Sequence, residues 1–284
     1  MRVITIATRK GGTGKTATAH AVGAGFALRG YKTLFIDLDS QCNLSFDLGA
    51  NIADITSYDV LMRTATARQA IQHTPGGDII PADARLGNAD SRITTADGAL
   101  RLRDALVPLH QDYDVVVIDT PANLGILTRN ALTASTELII PAQAESHSLQ
   151  GIALMHNLVQ EIRDKHNPEL RISGVLLTRY SGRTILARDM RENIAQVTDE
   201  LGIRLFDTPI RECIAVAESQ AMQRDIYTYA PRSNATADYN ALMRALTEEI
   251  YHSYEEVEPG EENELQLYDP LDPNVELDED GYRM

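Results

Sequence analysis

The stretch "VITIATRKGGTGKT", residues 3–16, joins a short apolar run to a glycine-rich turn that carries two lysines, Lys10 and Lys15. Val3 to Ala7 read as a buried strand. The segment after Lys15 is rich in small residues and reads as a helix. A glycine-rich turn between a strand and a helix is the setting in which backbone N–H groups cradle phosphates. Gly11, Gly12 and Gly14 can adopt positive φ and let the backbone approach an anion, while the helix N-terminus adds its dipole. Lys15 is placed to neutralise the β- and γ-phosphates of a nucleotide, and the Thr16 hydroxyl to ligate Mg²⁺. The loop lining is Gly11, Gly12, Thr13, Gly14, Lys15, Thr16 and Ala17.

Five further runs repeat the apolar pattern: "TLFIDL" at 33–38, "DII" at 78–80, "DVVVID" at 114–119, "ELIIP" at 137–141 and "ISGVLLT" at 172–178. Runs this apolar suit strands buried on both faces. Between them apolar residues recur at helical spacing, as in Ile152, Met155, Val159 and Ile162, or Met190, Ile194, Val197 and Leu201. Alternation of this kind predicts an α/β fold, a doubly wound and mostly parallel sheet flanked by helices. Tyr239, Met243, Leu246 and Ile250 predict one last amphipathic helix. One domain is expected over 1–252, followed by an acidic, disordered tail over 253–284.

Composition narrows the classes of function. The 284 residues carry a net charge of −15, but the tail alone holds 12 Asp and Glu against one Arg. The body is only mildly acidic, so a local basic patch is compatible with it. The longest strongly apolar run, "VVVI" at 115–118, is far short of the roughly 18–20 residues that cross a bilayer. The N-terminus shows no signal-peptide pattern, and a cytoplasmic protein is expected. Cys42 and Cys213 are distant and form no CxxC pair, which argues against a disulfide framework or a zinc site.

Three carboxylates stand at strand ends. "FIDLDSQCNLS" places Asp37 and Asp39 at the carboxyl edge of the second strand, where ligands of such sheets bind. Asp119 closes "VVVID", and a buried aspartate after four apolar residues calls for a metal or hydrogen-bonding partner.

The loop departs from the standard GxxxxGK[ST] pattern, because Arg9 stands at its first glycine and Lys10 is additional. "KGGTGKT" resembles the deviant Walker A motif of the ParA and MinD superfamily of ATPases. The resemblance extends through "DLDSQCN", "VVVIDTPAN", "PAQAESHSLQG", "GVLLTRYSGRT" and "DTPIRECIAVAES", over about 250 residues. It implies an ATP- and Mg²⁺-dependent ATPase that forms a homodimer around two nucleotides. Lys10 would then reach the nucleotide of the partner subunit, so that Lys10, Lys15 and Asp39 are the catalytic residues. Asp39 would position the attacking water in the first switch, and Thr16, Asp37 and Asp119 would support the metal. Thr120 and Pro121 would begin the second switch. Thr178, Arg179, Pro209 and Arg211 would lie near the adenine. Ser40 and Cys42 depart from the family's usual proline and small residue, which bears on the stiffness of the switch loop rather than its chemistry.

The resemblance further implies non-specific DNA binding by the ATP-state dimer, with Arg183, Arg188, Arg191, Arg224 and Arg232 as candidate contacts together with Arg211. A ParB-like, centromere-bound protein would stimulate slow hydrolysis. The location would be the nucleoid, and no membrane is expected because the tail is acidic where MinD-like proteins end in a basic amphipathic helix. No helix-turn-helix segment precedes the loop, so operator-specific repression is not expected. Two alternatives remain in view. One is a ParA-like ATPase that positions a protein cargo without DNA. The other is a bacterial tyrosine kinase, which the tail residues Tyr251, Tyr254, Tyr268 and Tyr282 suggest and "DLDSQCN" opposes.

Overall fold

The computed structural model describes residues 1–255. Most of the 253–284 tail, with Tyr268 and Tyr282, lies outside the described residues. Seven strands form one sheet: β1 (Arg2–Ile6), β2 (Thr33–Asp37), β3 (Gln72–Thr74), β4 (Gly77–Ile80), β5 (Val115–Asp119), β6 (Glu137–Ala142) and β7 (Arg171–Leu177). Their spatial order is β3-β4-β2-β5-β1-β6-β7, and every pair is parallel except β3 with β4. The six runs read from the sequence coincide with β1, β2 and β4–β7. The unforeseen strand is β3, a polar "QHT" that pairs across Gly76–Gly77 and caps the sheet edge.

Twelve helices surround the sheet among the described residues: α1 (Lys15–Ala27), α2 (Asn43–Asp47), α3 (Ser57–Leu61), α4 (Ala67–Ala70), α5 (Ala89–Arg92), α6 (Arg101–Leu106), α7 (Ile126–Ala134), α8 (Ser146–Lys165), α9 (Ile185–Glu200), α10 (Ile214–Ala221), α11 (Ile226–Tyr229) and α12 (Asn234–Glu255). Alternate strand residues feed opposite layers. Ile4, Ile6, Phe35, Val117 and Ile139 pack with α1, α2, α10, α11 and α12. Leu34, Ile36, Val116 and Ile118 face α3–α7, while Leu138, Ile140, Val175 and Leu177 face α8 and α9 on that same side.

Helix α1 is the central helix, and ten of its 13 residues are buried. Its small residues allow it to lie between the sheet and α12. A Cβ on Gly23 would come within 2.1 Å of the Phe35 ring, so the close approach of α1 to β2 depends on this glycine. At the opposite edge of the sheet from the loop, the buried Glu137 carboxylate accepts from Arg2 Nη2 (2.7 Å), Arg171 Nη2 (3.0 Å) and Ser173 Oγ (2.8 Å). Arg2 Nη1 also donates to Leu246 O at 2.8 Å, which ties α12 to the first strand.

Candidate nucleotide-binding site

The turn between β1 and α1 takes positive φ at two of the three glycines that the sequence singles out, but not at Gly11. Gly12 and Gly14 take φ of 75° and 76°, in the left-handed region that glycine occupies without strain. Gly14 is the N-cap of α1 and no side chain caps that end, so the first N–H groups of the helix are available to an anion. Lys15 is buried. The loop is braced from behind, because Thr178 Oγ1 at the end of β7 donates to Thr13 O at 2.8 Å. A Cβ on Gly11 would touch Ala122 at 3.9 Å, which sets the loop against the segment following β5.

Lys10 takes a different direction from Lys15. Its Nζ donates to Gln143 Oε1 at 3.2 Å and pairs with the Glu145 carboxylate, while Gln143 Nε2 reaches back to Gly12 O at 3.3 Å. In this single chain the first lysine of the loop is therefore held by the segment after β6.

Asp37 and Asp119 are register partners on β2 and β5, and both are fully buried. Asp119 Oδ2 accepts from Thr16 Oγ1 at 2.6 Å and Oδ1 from the Thr120 N–H at 3.0 Å. Burial, and then the neighbouring Asp37 charge, push the Asp119 carboxyl up to about 8. Burial likewise lifts Asp37 to about 6, although its hydrogen bonds oppose the shift. A hard, oxygen-only set of one hydroxyl and two crowded carboxylates, with desolvated charge to be relieved, fits Mg²⁺. The two aspartates are not equivalent, however. Both Asp37 oxygens are engaged inside the chain, Oδ1 by the Asp39 N–H (2.9 Å) and Oδ2 by Ser45 N–H (2.9 Å) and Ser45 Oγ (2.7 Å). Asp37 thus holds the Asp39–Ser45 loop in place, and Thr16 with Asp119 is the pair that would hold a metal.

Asp39 is half-buried, lines the cleft, and accepts the Gln41 N–H at 3.1 Å through Oδ1. Cys42 adopts φ of 57° at the start of α2. That left-handed backbone gives a physical reason for the small residue usual there in sequences of the resembled type.

The cleft of about 810 Å³ runs from the phosphate loop to α10. Thr178, Arg179 and Arg211 border it, but Pro209 does not, and its neighbour Ile210 takes that place. Arg211 is committed to Asp238 on α12, with Nη2 to Oδ1 at 2.6 Å and Nε to Oδ2 at 2.9 Å, so it buttresses the wall. Arg179 pairs with Glu212 at 3.1 Å. Residues the sequence reading missed complete the wall: Cys213, Val216, Ala217 and Gln220 on the face of α10, and Tyr239. Their i, i+3, i+4, i+7 spacing was the available signal.

The candidate DNA-contact arginines do not form one cluster. Arg183, Arg188 and Arg191 precede or begin α9, whereas Arg224 and Arg232 flank α11, which packs on the opposite face of the sheet. Arg191 donates to Asp207 O at 2.9 Å and lies over the Tyr180 ring, and Arg224 donates to Thr228 O at 3.1 Å. Arg183, Arg188 and Arg232 are exposed. On α9 only Ile194 of the four stripe residues is fully buried.

Residues 1–172 match the AAA domain family. The sporulation initiation inhibitor protein Soj of Bacillus subtilis is 35% identical over 248 residues, 86% of this chain and 97% of Soj. The chromosome partitioning protein ParA of Caulobacter vibrioides is 35% identical over 251 residues, 86% of this chain and 93% of that protein. This chain belongs to the ParA/MinD-type P-loop ATPases. Among solved structures, the cobyrinic acid a,c-diamide synthase of Mycobacterium smegmatis with bound ATP analogue and magnesium superposes with a TM-score of 0.77 at 29% identity, over 89% of this chain and 97% of that one. The doubly wound sheet and the phosphate loop are thus those of the ParA/MinD type. No helix among the described residues is long and apolar enough to cross a membrane.

Proposed function

We propose that residues 1–252 form a Mg²⁺-dependent ATPase that acts in DNA partition, as a homodimer closed around two ATP molecules. The observation that carries this reading is the pairing of the two-lysine loop with the Thr16–Asp119 contact at the head of a deep cleft. The partition role is supported by the names of the curated relatives. The ATP-state dimer binds DNA without sequence preference, a ParB-like partner stimulates hydrolysis, and the protein works in the cytoplasm on the nucleoid.

The chain's own residues divide the work. Backbone N–H groups of 11–16 and Lys15 hold the β- and γ-phosphates, and Thr16 with Asp119 holds the metal, with Asp37 supporting them through the switch loop. When bound, Mg²⁺ would supply positive charge that offsets the charge on the phosphates. Asp39 orients a water in line with the γ-phosphorus, whose transfer to that water releases ADP and phosphate. Lys10 leaves Glu145 and meets the γ-phosphate in the partner subunit. A triphosphate buried between subunits is costly unless paired, and a lysine from each side supplies that pairing.

The test is DNA binding without nucleotide, with ADP and with a non-hydrolysable ATP analogue, at two salt concentrations, with mass measured in parallel. Binding confined to the ATP-state dimer, and weakening steeply with salt as phosphate contacts require, is the expected result. A dimer that ignores DNA at low salt favours the cargo-positioning alternative. That second reading draws support from Arg191, Arg211 and Arg224, which are engaged within the chain.

A further inference from the structure

The segment that runs from β4 into the first turn of α5 touches the loops that follow β2 and β5. At its start the Ala82 N–H donates to Ser45 Oγ at 2.8 Å, and that hydroxyl donates to Asp37 Oδ2 at 2.7 Å. A Cβ on Gly87 would lie 3.8 Å from the Ser40 side chain, so the middle of the segment runs along the first switch. At its end Asp90 Oδ1 accepts the Ile126 N–H at 2.7 Å, at the first residue of α7. A Cβ on Gly125 would fall 2.6 Å from that carboxylate, so Gly125 is what lets Asp90 come so close. Helix α7 directly follows the second switch, which is stitched to it by Thr128 Oγ1 donating to Asn123 O (2.7 Å) and Gly125 N–H donating to Asn123 Oδ1 (2.9 Å).

Asp90 thus hydrogen-bonds this segment to the N-terminus of α7, and its negative charge suits the positive end of that helix. We infer that residues 82–90 are a strut coupling the first switch to the second, and that Asp90 is the positioning residue at its far end. The inference rests on the ATPase reading above. When the γ-phosphate draws Asp39 and its loop inward, Ser45 and Ser40 shift against the strut, and Asp90 carries the displacement to the turn before α7. Coupling of this kind needs a contiguous set of packed and hydrogen-bonded groups with two arrangements, and this path supplies the contacts.

The experiment compares wild type, Asp90→Ala and Asp90→Asn by amide hydrogen exchange and single-turnover hydrolysis, with and without a non-hydrolysable ATP analogue and Mg²⁺. In wild type the analogue protects both 39–45 and 120–128. In Asp90→Ala, protection of 39–45 persists while protection of 120–128 is lost, and the hydrolysis rate falls at least roughly five-fold, the lower end of ordinary coupling between sites. Affinity for the analogue changes less than the hydrolysis rate does. Asp90→Asn retains the acceptor oxygen and restores both. The strut is overturned if Asp90→Ala keeps analogue-dependent protection of both segments, or if both are lost already without nucleotide, which would mark a purely structural cap. Wild type that shows no protection by the analogue in any segment would instead overturn the ATPase reading itself.

Discussion

Lys10 and Lys15 lie in one loop but in different electrostatic settings. Lys15 is buried at the head of α1, whereas Lys10 is over a third exposed and paired with a still more exposed Glu145. An ion pair that open to water is worth about 0–1 kcal/mol. Its side chain can therefore leave its own chain at little cost once a more demanding charge presents itself. Lys10→Ala is expected to leave ATP binding by the monomer within about twofold while lowering hydrolysis about hundredfold to thousandfold, as loss of a transition-state charge contact does. Isothermal titration together with a phosphate-release assay checks the split, and equal losses in both would place Lys10 on its own nucleotide. Asp39 is expected to act on water alone. Asp39→Ala should slow hydrolysis about hundredfold or more and leave the ATP-dependent dimer intact in a sizing experiment. Rapid turnover by that variant would remove Asp39 from the mechanism.

At the scale of elements, helix α1 sets the position of the loop, and Gly23 sets the depth of α1. The Phe35 ring beneath it is 1% exposed and has no room to retreat. Gly23→Ala gains helix propensity but overpacks the contact, with a net loss of about 1–3 kcal/mol expected in a denaturant titration. A variant as stable as wild type would mean that α1 can lift from β2 without consequence. These same elements show what a sequence can disclose. The six parallel strands are legible because burial on both faces writes itself as short, mostly apolar runs. Strand β3 is not legible, since a three-residue polar edge carries no such signature. In the site, Lys15, Thr16 and Asp119 were readable from local spacing. The engagement of Asp37 by Ser45, of Arg211 by Asp238 and of Lys10 by Glu145 joins residues 8, 27 and 135 positions apart. Such pairs depend on tertiary placement, which no local period records.

Across the whole molecule, charge is sorted between the two edges of the sheet. The carboxyl edge holds crowded Asp37 and Asp119 against the phosphate loop, while the amino edge neutralises Glu137 with Arg2 and Arg171. Burial alone would raise the Glu137 carboxyl, but the hydrogen bonds and charge of Arg2, with Ser173 and Arg171, outweigh it and hold it below the ordinary value. A carboxyl lowered by folding contributes stability that is fully present above its unfolded value, about 4.3, and is lost as pH falls through the folded value. Glu137→Gln is therefore expected to be less stable at pH 7, by about 1–3 kcal/mol, because the mostly buried Arg2 loses its charged partner while Arg171 can turn to solvent. It should also lose less further stability than wild type below about pH 4.3. Parallel acid-unfolding profiles for the two proteins would show that this cluster contributes nothing to acid sensitivity.

The strand order also has a consequence for synthesis. β1 lies between β5 and β6, so the strand that launches the phosphate loop gains its two neighbours only from segments beginning at Val115 and Glu137. The brace on the loop comes later still, from Thr178. On a ribosome adding about 5–20 residues per second, the nucleotide loop would emerge roughly ten to thirty seconds before its last support. The phosphate loop is thus translated well before the strands that flank it and the threonine that braces it.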